Sequence, residues 1–144
     1  MATTITITGQ GPIRQSIQKL SGKITNPKPI FTVISKKLVD YFKDNMEREG
    51  AKLTQRWRQL SPQTIAAKTR LGFGGKKILE RTGTLKKGMK EISMSKSELV
   101  VGNDVDYYKF HQLGGKKIPH RQMVGVNSDI EKIVIDEFKN QISF

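Results

Sequence analysis

The sequence predicts an α+β fold in which a small, mainly antiparallel sheet packs with about four to five helices. Threonine and isoleucine alternate over 3–8, as in a half-buried strand. Apolar residues recur at helical spacing over 29–49, which predicts one long helix. Two short runs, 88–95 and 97–102, suit paired strands. With 144 residues, we expect a single domain.

The long helix over 29–49 is the strongest helical pattern in the sequence, and Gly50 follows it as a natural stop. A shorter apolar repeat predicts a helix over 13–21. The apolar face of the long helix, expected to lie in the core, consists of Ile30, Ile34, Leu38, Tyr41 and Phe42.

A second helix is predicted over 62–70, because Ser61 suits the N-cap and Pro62 the first helical position. The segment 71–77, LGFGGKK, follows as a basic loop that its glycines should make mobile. It is not a phosphate-binding loop, since the residues at both ends of the pattern GxxxxGK[ST] are wrong here.

Beyond the hairpin turn expected at 95–97, Asp104 or Asp106 is a candidate cap for a short helix ending at Gly114. Residues 123–126 suit a further short strand.

The C-terminal part, 128–141, is predicted to be helical. Ser128 and Glu131 have the spacing of a capping box, S-x-x-E. Apolar residues at helical spacing give this helix one face for the core, formed by Ile130, Ile133, Val134 and Phe138.

The net charge of +13 is concentrated in one part of the chain. Residues 51–90 carry a net charge of +10, whereas residues 91–144 carry −1. This basic stretch is a solvated surface, or it meets phosphate or an acidic partner. The basic residues expected at that surface are Arg56, Arg58, Lys68, Arg70, Lys76, Lys77, Arg81, Lys86, Lys87 and Lys90.

Several protein classes are excluded by composition. The chain has no cysteine, so it has no disulfide, thiolate metal site or cysteine nucleophile. No apolar run approaches the ~18 residues of a membrane span, and the first residues do not have the pattern of a signal peptide. We therefore expect a protein without cofactors that stays in the cytoplasm and has no membrane partner.

Catalytic patterns are also lacking. His111 and His120 do not have metal-ligand spacing, and His111 is expected to hydrogen-bond locally beside Tyr108 or Gln112. No GxSxG motif occurs, and Glu80 is the only acidic residue within the basic stretch, too few for a two-metal site. The sequence therefore predicts a protein that is not an enzyme.

Four short motifs occur in order along the chain, each with a plausible structural role. Trp57 can anchor a long loop, and Gly83 allows a tight turn. Gly114 can end a helix, and Arg121 offers a fork for a carboxylate. The motif positions are Trp57, Leu60, Ser61, Thr64, Ile78, Leu79, Thr82, Gly83, Leu85, Tyr107, His111, Gln112, Gly114, Pro119, Arg121 and Gly125.

The order and spacing of these motifs resemble the phage virion morphogenesis family of tail completion proteins, over about residues 30–138. The family patterns are approximately W-x-x-L-S-x-x-T, I-L-x-x-T-G-x-L, Y-A-x-x-H-Q-x-G and I-P-A-R-P-F-x-G. Tyr108 stands where the family usually has alanine. In the last motif, His120, Gln122 and Met123 replace alanine, proline and phenylalanine.

The resemblance implies a non-enzymatic structural protein of a bacteriophage or prophage, acting in tail completion or head–tail joining. It implies contacts with copies of itself, in a ring around the DNA channel, and with neighbouring tail or connector proteins. Non-specific contact with packaged DNA is a further implication. Such a protein would be found in the bacterial host cytoplasm during assembly and then in the virion. The alternative is a basic DNA- or RNA-binding module.

Overall fold

The fold combines one antiparallel sheet with helices, as an α+β class requires. A computed structural model describes residues 4–7, 26–95 and 98–142, and within these ranges it contains three strands and five helices. The predicted fold class is confirmed. The elements are β1 (Thr4–Ile7), α1 (Lys28–Glu47), α2 (Pro62–Arg70), α3 (Thr84–Lys87), β2 (Met89–Met94), β3 (Leu99–Asn103), α4 (Tyr108–Leu113) and α5 (Ser128–Ile142).

The sheet has the order β1-β3-β2, so the strand β3 is central and pairs antiparallel with both neighbours. All five residues of β3 are buried. The strand β2 is mostly exposed, and a bulge between Glu91 and Ser93 shifts its register against β3. β3 is therefore the central and fully buried strand of the described sheet.

Helix α1 packs against the sheet and against α5. The rings of Phe31 and Phe138 meet edge to face at 6.2 Å between centroids, and Lys37 forms a 2.8 Å ion pair with the buried Glu137. Leu38 and Phe42 are completely buried in this layer. The predicted apolar face of the long helix is therefore core, as its spacing indicated.

Most predicted elements agree with the structure. The helix over 62–70 has the predicted bounds, and the long helix ends two residues before the predicted end. The chain leaves it through left-handed conformations, with φ of 52° at Glu49 and 89° at Gly50. The predicted helix over 13–21 and the middle of the hairpin turn at 95–97 lie outside the described residues.

The prediction of a strand over 123–126 is wrong. The backbone of this segment bonds to the Gln112 side chain and not to a neighbouring strand. The Gln112 Oε1 accepts hydrogen bonds from the N–H groups of Met123 (2.8 Å) and Val124 (3.1 Å). Its Nε2 donates to the carbonyl of Val124 at 2.9 Å. The segment is apolar because Met123 and Val124 are buried, and its backbone is satisfied by a side chain.

Two predicted caps are also wrong. Helix α4 begins after Tyr107 without a side-chain cap, and Asp104 forms an ion pair with Lys90 at 2.6 Å. Helix α5 is capped by Asn127, whose Oδ1 accepts a hydrogen bond from the N–H of Ile130 at 2.9 Å. The capping residue therefore precedes the predicted Ser128 by one position.

Candidate binding groove

A groove with a volume of about 560 Å³ lies between α2, the chain over 79–85 and the beginning of α4. Its surface is mainly apolar, and all four sequence motifs contribute to it. The lining residues are Leu60, Thr64, Ala67, Lys68, Leu71, Leu79, Glu80, Arg81, Thr82, Thr84, Leu85, Tyr107, His111 and Arg121.

One wall of the groove is the inner face of α2. Thr64, Ala67, Lys68 and Leu71 follow the i, i+3, i+4, i+7 spacing of a single helical face. The predicted cap of this helix is confirmed, because Ser61 Oγ accepts a hydrogen bond from the N–H of Thr64 at 3.1 Å. No residue of α2 is fully buried, so this wall is a surface helix with an accessible apolar side.

The loop 71–77 is tied back to α2 by Lys68. The Lys68 Nζ donates to the carbonyl oxygens of Lys76 (3.3 Å) and Lys77 (2.9 Å), and its own carbonyl accepts from the N–H of Phe73 at 2.8 Å. Burial lowers the pKa of Lys68. These bonds give the loop a defined path in the free chain, and the mobility predicted from its glycines stays a prediction.

The opposite wall is a tight turn that carries the second motif. Leu79 and Gly83 both adopt positive φ, 63° and 81°, and the chain then enters the single turn of α3. The hydroxyls of Thr82 and Thr84 lie 2.6 Å apart across this turn. Leu85 is buried and Leu79 is half-buried, so both face inward as their spacing around the glycine predicted.

Two charged side chains of the lining, Arg81 and Glu80, interact with residues of the loop 71–77. The Arg81 guanidinium lies 4.9 Å from the ring centroid of Phe73, a cation–π arrangement. Glu80, the only acidic residue of the lining, accepts a hydrogen bond through Oε2 from the N–H of Lys77 at 3.2 Å. The carboxylate of Glu80 is thus turned to the loop backbone.

The polar end of the groove is formed by His111 and Arg121. The N–H of Arg121 donates to the carbonyl of His111 at 2.7 Å, and the Arg121 Nη2 donates to the carbonyl of Arg58 at 3.2 Å. The ring of Tyr107 meets that of His111 edge to face, with centroids 6.4 Å apart. Two buried atoms, His111 Nδ1 and Arg121 Nε, have no hydrogen-bond partner among the described residues.

The structure contradicts one expectation for this end of the groove, and the other stays a prediction. The local hydrogen bond predicted for His111 is not formed by its buried Nδ1. The neighbouring Tyr108 and Gln112 lie on the buried side of α4 and bond to each other, and Gln112 also bonds to the chain at 123–124. Arg121 has no described carboxylate within ion-pair distance and its guanidinium bonds to a backbone carbonyl, so the carboxylate contact predicted for it stays a prediction.

The pKa values of both side chains are lowered at this end of the groove. For His111 the main cause is burial, to which the positive charge of Arg121 adds. For Arg121 the causes are again burial and then the charge of Arg58. Burial is the main cause for both groups, and in each case a neighbouring arginine makes the protonated form less favourable still.

The motif residues that do not line the groove include two that fix the path of the chain near it, Trp57 and Gly114. Trp57 is buried and donates its Nε1 to the carbonyl of Gln122 at 3.1 Å, so it anchors the loop after α1 as predicted. Gly114 ends α4 with a φ of 70°, and a Cβ there would lie 2.8 Å from the backbone nitrogen of His120. The motif residues outside the lining are Trp57, Ser61, Ile78, Gly83, Gln112, Gly114, Pro119 and Gly125.

Part of the positive charge of the basic stretch 51–90 is paired with carboxylates from outside that stretch. Lys77 and Lys86 both pair with Glu47 at the end of α1, and that carboxylate has a lowered pKa chiefly through its hydrogen bond with Lys77. Arg56 pairs with Glu49, and Lys90 with Asp104. Within the described ranges, the predicted basic residues without a carboxylate partner are Arg58, Lys68, Arg70, Lys76, Arg81 and Lys87.

Four lining residues were not among the predicted site residues: Ala67, Leu71, Glu80 and Thr84. The helical spacing of Ala67 and Leu71 after Thr64 was a usable signal, because it places the three on one side of α2. Glu80 and Thr84 lie inside the second motif, but nothing in the local pattern shows that their turn faces α2.

The model of the phage virion morphogenesis family matches residues 10–143, which is nearly the whole chain. The chain therefore belongs to this family, and the resemblance of the four motifs is confirmed. No curated protein and no solved structure matches it. In the part of the chain that the structure describes, no helix has the length and apolar character of a membrane span, and no cluster of metal-binding side chains occurs.

Membership of the family gives the chain a role in the assembly of phage particles and an association with the virion. The groove is the structural feature on which the family's motifs converge.

Proposed function

We propose that the chain is a non-enzymatic structural subunit that completes the phage tail or joins the tail to the head. It acts through contacts with copies of itself and with neighbouring tail or connector proteins, in the host cytoplasm during assembly and then in the virion. The observation that carries this proposal is the convergence of all four motifs on one mainly apolar groove. An apolar concave surface is typical of sites that bind another molecule through its side chains.

Several apolar side chains on the elements that form the groove are exposed. Leu71 is 60% exposed at the end of α2, and Tyr107, Phe110 and Leu113 are exposed along α4. Such side chains gain free energy when a partner covers them, because burial removes their apolar area from water. This surface therefore suits a protein contact formed during assembly.

A ring of identical subunits would require a heterologous contact, in which one face of a subunit meets a different face of the next. Three basic residues, Lys68, Arg81 and Arg121, line the groove, and the acid-containing helix α5 contributes no residue to that lining. Electrostatic attraction between unlike faces would orient the subunits as they associate. Sedimentation of the purified chain at increasing concentration tests for this self-association.

Assembly in the encoding phage tests the proposal directly. Leu71→Asp places a charge at an exposed lining position without opening the core, and we expect unjoined heads and tails to accumulate in electron micrographs. Val126→Asp is the matched control, because Val126 is 55% exposed and does not line the groove. Normal infectious particles with Leu71→Asp would contradict an assembly role for the groove.

The alternative function, a basic DNA- or RNA-binding module, is favoured by the exposed cations that have no carboxylate partner among the described residues. The test changes four exposed cations to glutamate: Arg58, Arg70, Lys76 and Lys87. Lys77 and Lys86 are left unchanged because both form ion pairs with Glu47. A phosphate binder loses affinity steeply as salt rises, and the quadruple variant should lower that slope. Unchanged particle assembly in this variant, with DNA affinity lost, would separate the two functions.

A further inference from the structure

Arg121 is a buried cation without a counter-ion among the described residues. Its side chain lines the groove, the residue is 6% exposed, and no described carboxylate lies within ion-pair distance. A buried charge is normally paired, because removing it from water is costly. One backbone carbonyl, that of Arg58, satisfies part of the guanidinium, while the Nε has no partner in the described chain.

His111 lies beside this cation and has the same deficit. Its Nδ1 is buried without a hydrogen-bond partner among the described residues, and its backbone carbonyl is held by the N–H of Arg121 at 2.7 Å. Unsatisfied buried polar atoms are uncommon and are often explained by a ligand or ion. Two of them, on adjacent side chains that both line one groove, therefore indicate a polar subsite in an otherwise apolar surface.

The charges of the groove lining favour an anion. Lys68, Arg81 and Arg121 all belong to the lining, and Arg58 lies next to Arg121. The one acidic residue of the lining, Glu80, is bonded to the loop backbone at Lys77. A carboxylate from outside would supply the missing charge and accept charge-assisted hydrogen bonds from the guanidinium.

The apolar part of the groove indicates what carries that carboxylate. Leu60, Ala67, Leu71, Leu79 and Leu85 line most of it, and the volume of about 560 Å³ is that of a few side chains. A nucleic-acid backbone would bring charged phosphates and sugars against leucines, whereas a protein segment brings its own apolar side chains.

We propose that this groove binds an acidic segment of a partner protein, with an Asp or Glu carboxylate at Arg121 and His111 and the flanking apolar side chains against the leucines. This inference rests on the proposed assembly function and names the chemistry of the partner. Two parts of the contact have separate roles: the apolar part supplies buried area, and the carboxylate supplies register and specificity.

The test uses paired peptides on the full-length chain. A panel of ten-residue peptides carries a central Glu or Asp between varied apolar residues, and each has a twin with Gln or Asn in its place. Nuclear magnetic resonance follows the Arg121 Nε–H and the His111 ring as each peptide is added. We expect acidic peptides to shift both signals at concentrations about tenfold lower than their amide twins, as a charge-assisted hydrogen bond implies.

Arg121→Met should remove the preference for the acidic peptide, and Arg70→Met, at an exposed position outside the lining, should keep it. The comparison of twins on the unaltered chain does not depend on how Arg121→Met folds. Equal affinity for both twins, or binding of neither across the panel, overturns the carboxylate site. If a single-stranded oligonucleotide produces the same shifts at physiological salt, the groove binds nucleic acid, and this result also overturns the carboxylate site.

These results are independent of the assembly assay. If Leu71→Asp blocks joining of heads and tails while peptide twins bind equally, the proposed function stands and the carboxylate site is wrong. If the twins are distinguished but Leu71→Asp particles are normal, the groove binds acidic segments and the assembly role of that groove is wrong.

Discussion

The indole of Trp57 occupies the space that a Cβ atom at Gly50 would need. Gly50 has a φ of +89° at the end of α1, and the N–H of Trp57 donates to the carbonyl of Glu49 at 2.6 Å. The chain therefore leaves the helix, turns back on it, and places Trp57 over the turn. This contact fixes where the following segment begins its path to α2 and the groove.

Gly50→Ala should lower the free energy of unfolding by about 3 kcal/mol, because the left-handed backbone and the displaced indole both cost free energy. Urea denaturation followed by circular dichroism measures the change. Gly72→Ala is the matched control: its φ is +84°, but no atom lies within 4 Å of an added Cβ. It should cost about 1 kcal/mol. Equal losses in the two variants would show that the indole contact contributes little.

Gln112→Met should be strongly destabilising, because it removes the side chain that bonds to Met123 and Val124. Three buried backbone groups would lose their partner, at a total cost of about 3–5 kcal/mol. Gln63→Met, on the exposed side of α2, gives the same chemical change with an effect within about 0.5 kcal/mol. A small loss with Gln112→Met, measured by thermal or urea unfolding, would mean that 123–124 is held by other contacts.

The same glutamine shows what the sequence could and could not predict. Local spacing was sufficient to predict α1, α2 and α5, because the apolar residues of α1 and α5 recur at helical spacing and α2 begins with a serine cap followed by proline. The apolar run at 123–126 predicts a strand, since nothing local shows that a side chain eleven residues earlier satisfies its backbone. Partners that are distant in sequence decide such segments.

The candidate groove was predictable only in pieces. Each motif had a local explanation, and the cap at Ser61 and the turn at Gly83 follow from residue type alone. That Thr64, Leu79 and Arg121 face a common space depends on tertiary packing, which periodicity does not encode. The missing counter-ion of Arg121 is likewise visible only when every carboxylate of the described chain has a position.

Asn127→Ala should destabilise the fold by about 1–2 kcal/mol, whereas Ser128→Ala should change it by less than about 0.5 kcal/mol. The Asn127 Oδ1 caps α5, and its Nδ2 lies 3.2 Å from the carbonyl of Leu53 and 3.1 Å from the hydroxyl of Tyr41. Ser128 is exposed and is the first residue of the helix. The reverse order of the two effects, measured by urea unfolding, would restore the capping box predicted from the sequence.

Stability should fall as the pH drops below about 6.5, and His111 is the cause. Burial and the charge of Arg121 hold the pKa of His111 below its ordinary value of 6.5. Between the folded and unfolded pKa values the unfolded chain binds more protons, so the free energy of unfolding rises with pH, by at most about 1.4 kcal/mol per pH unit for one group. His111→Gln should remove this dependence between pH 5 and 7. His120→Gln, at an exposed histidine, leaves the His111 contribution in place. Urea midpoints measured across that range check the sign, and a midpoint that rises on acidification would contradict it.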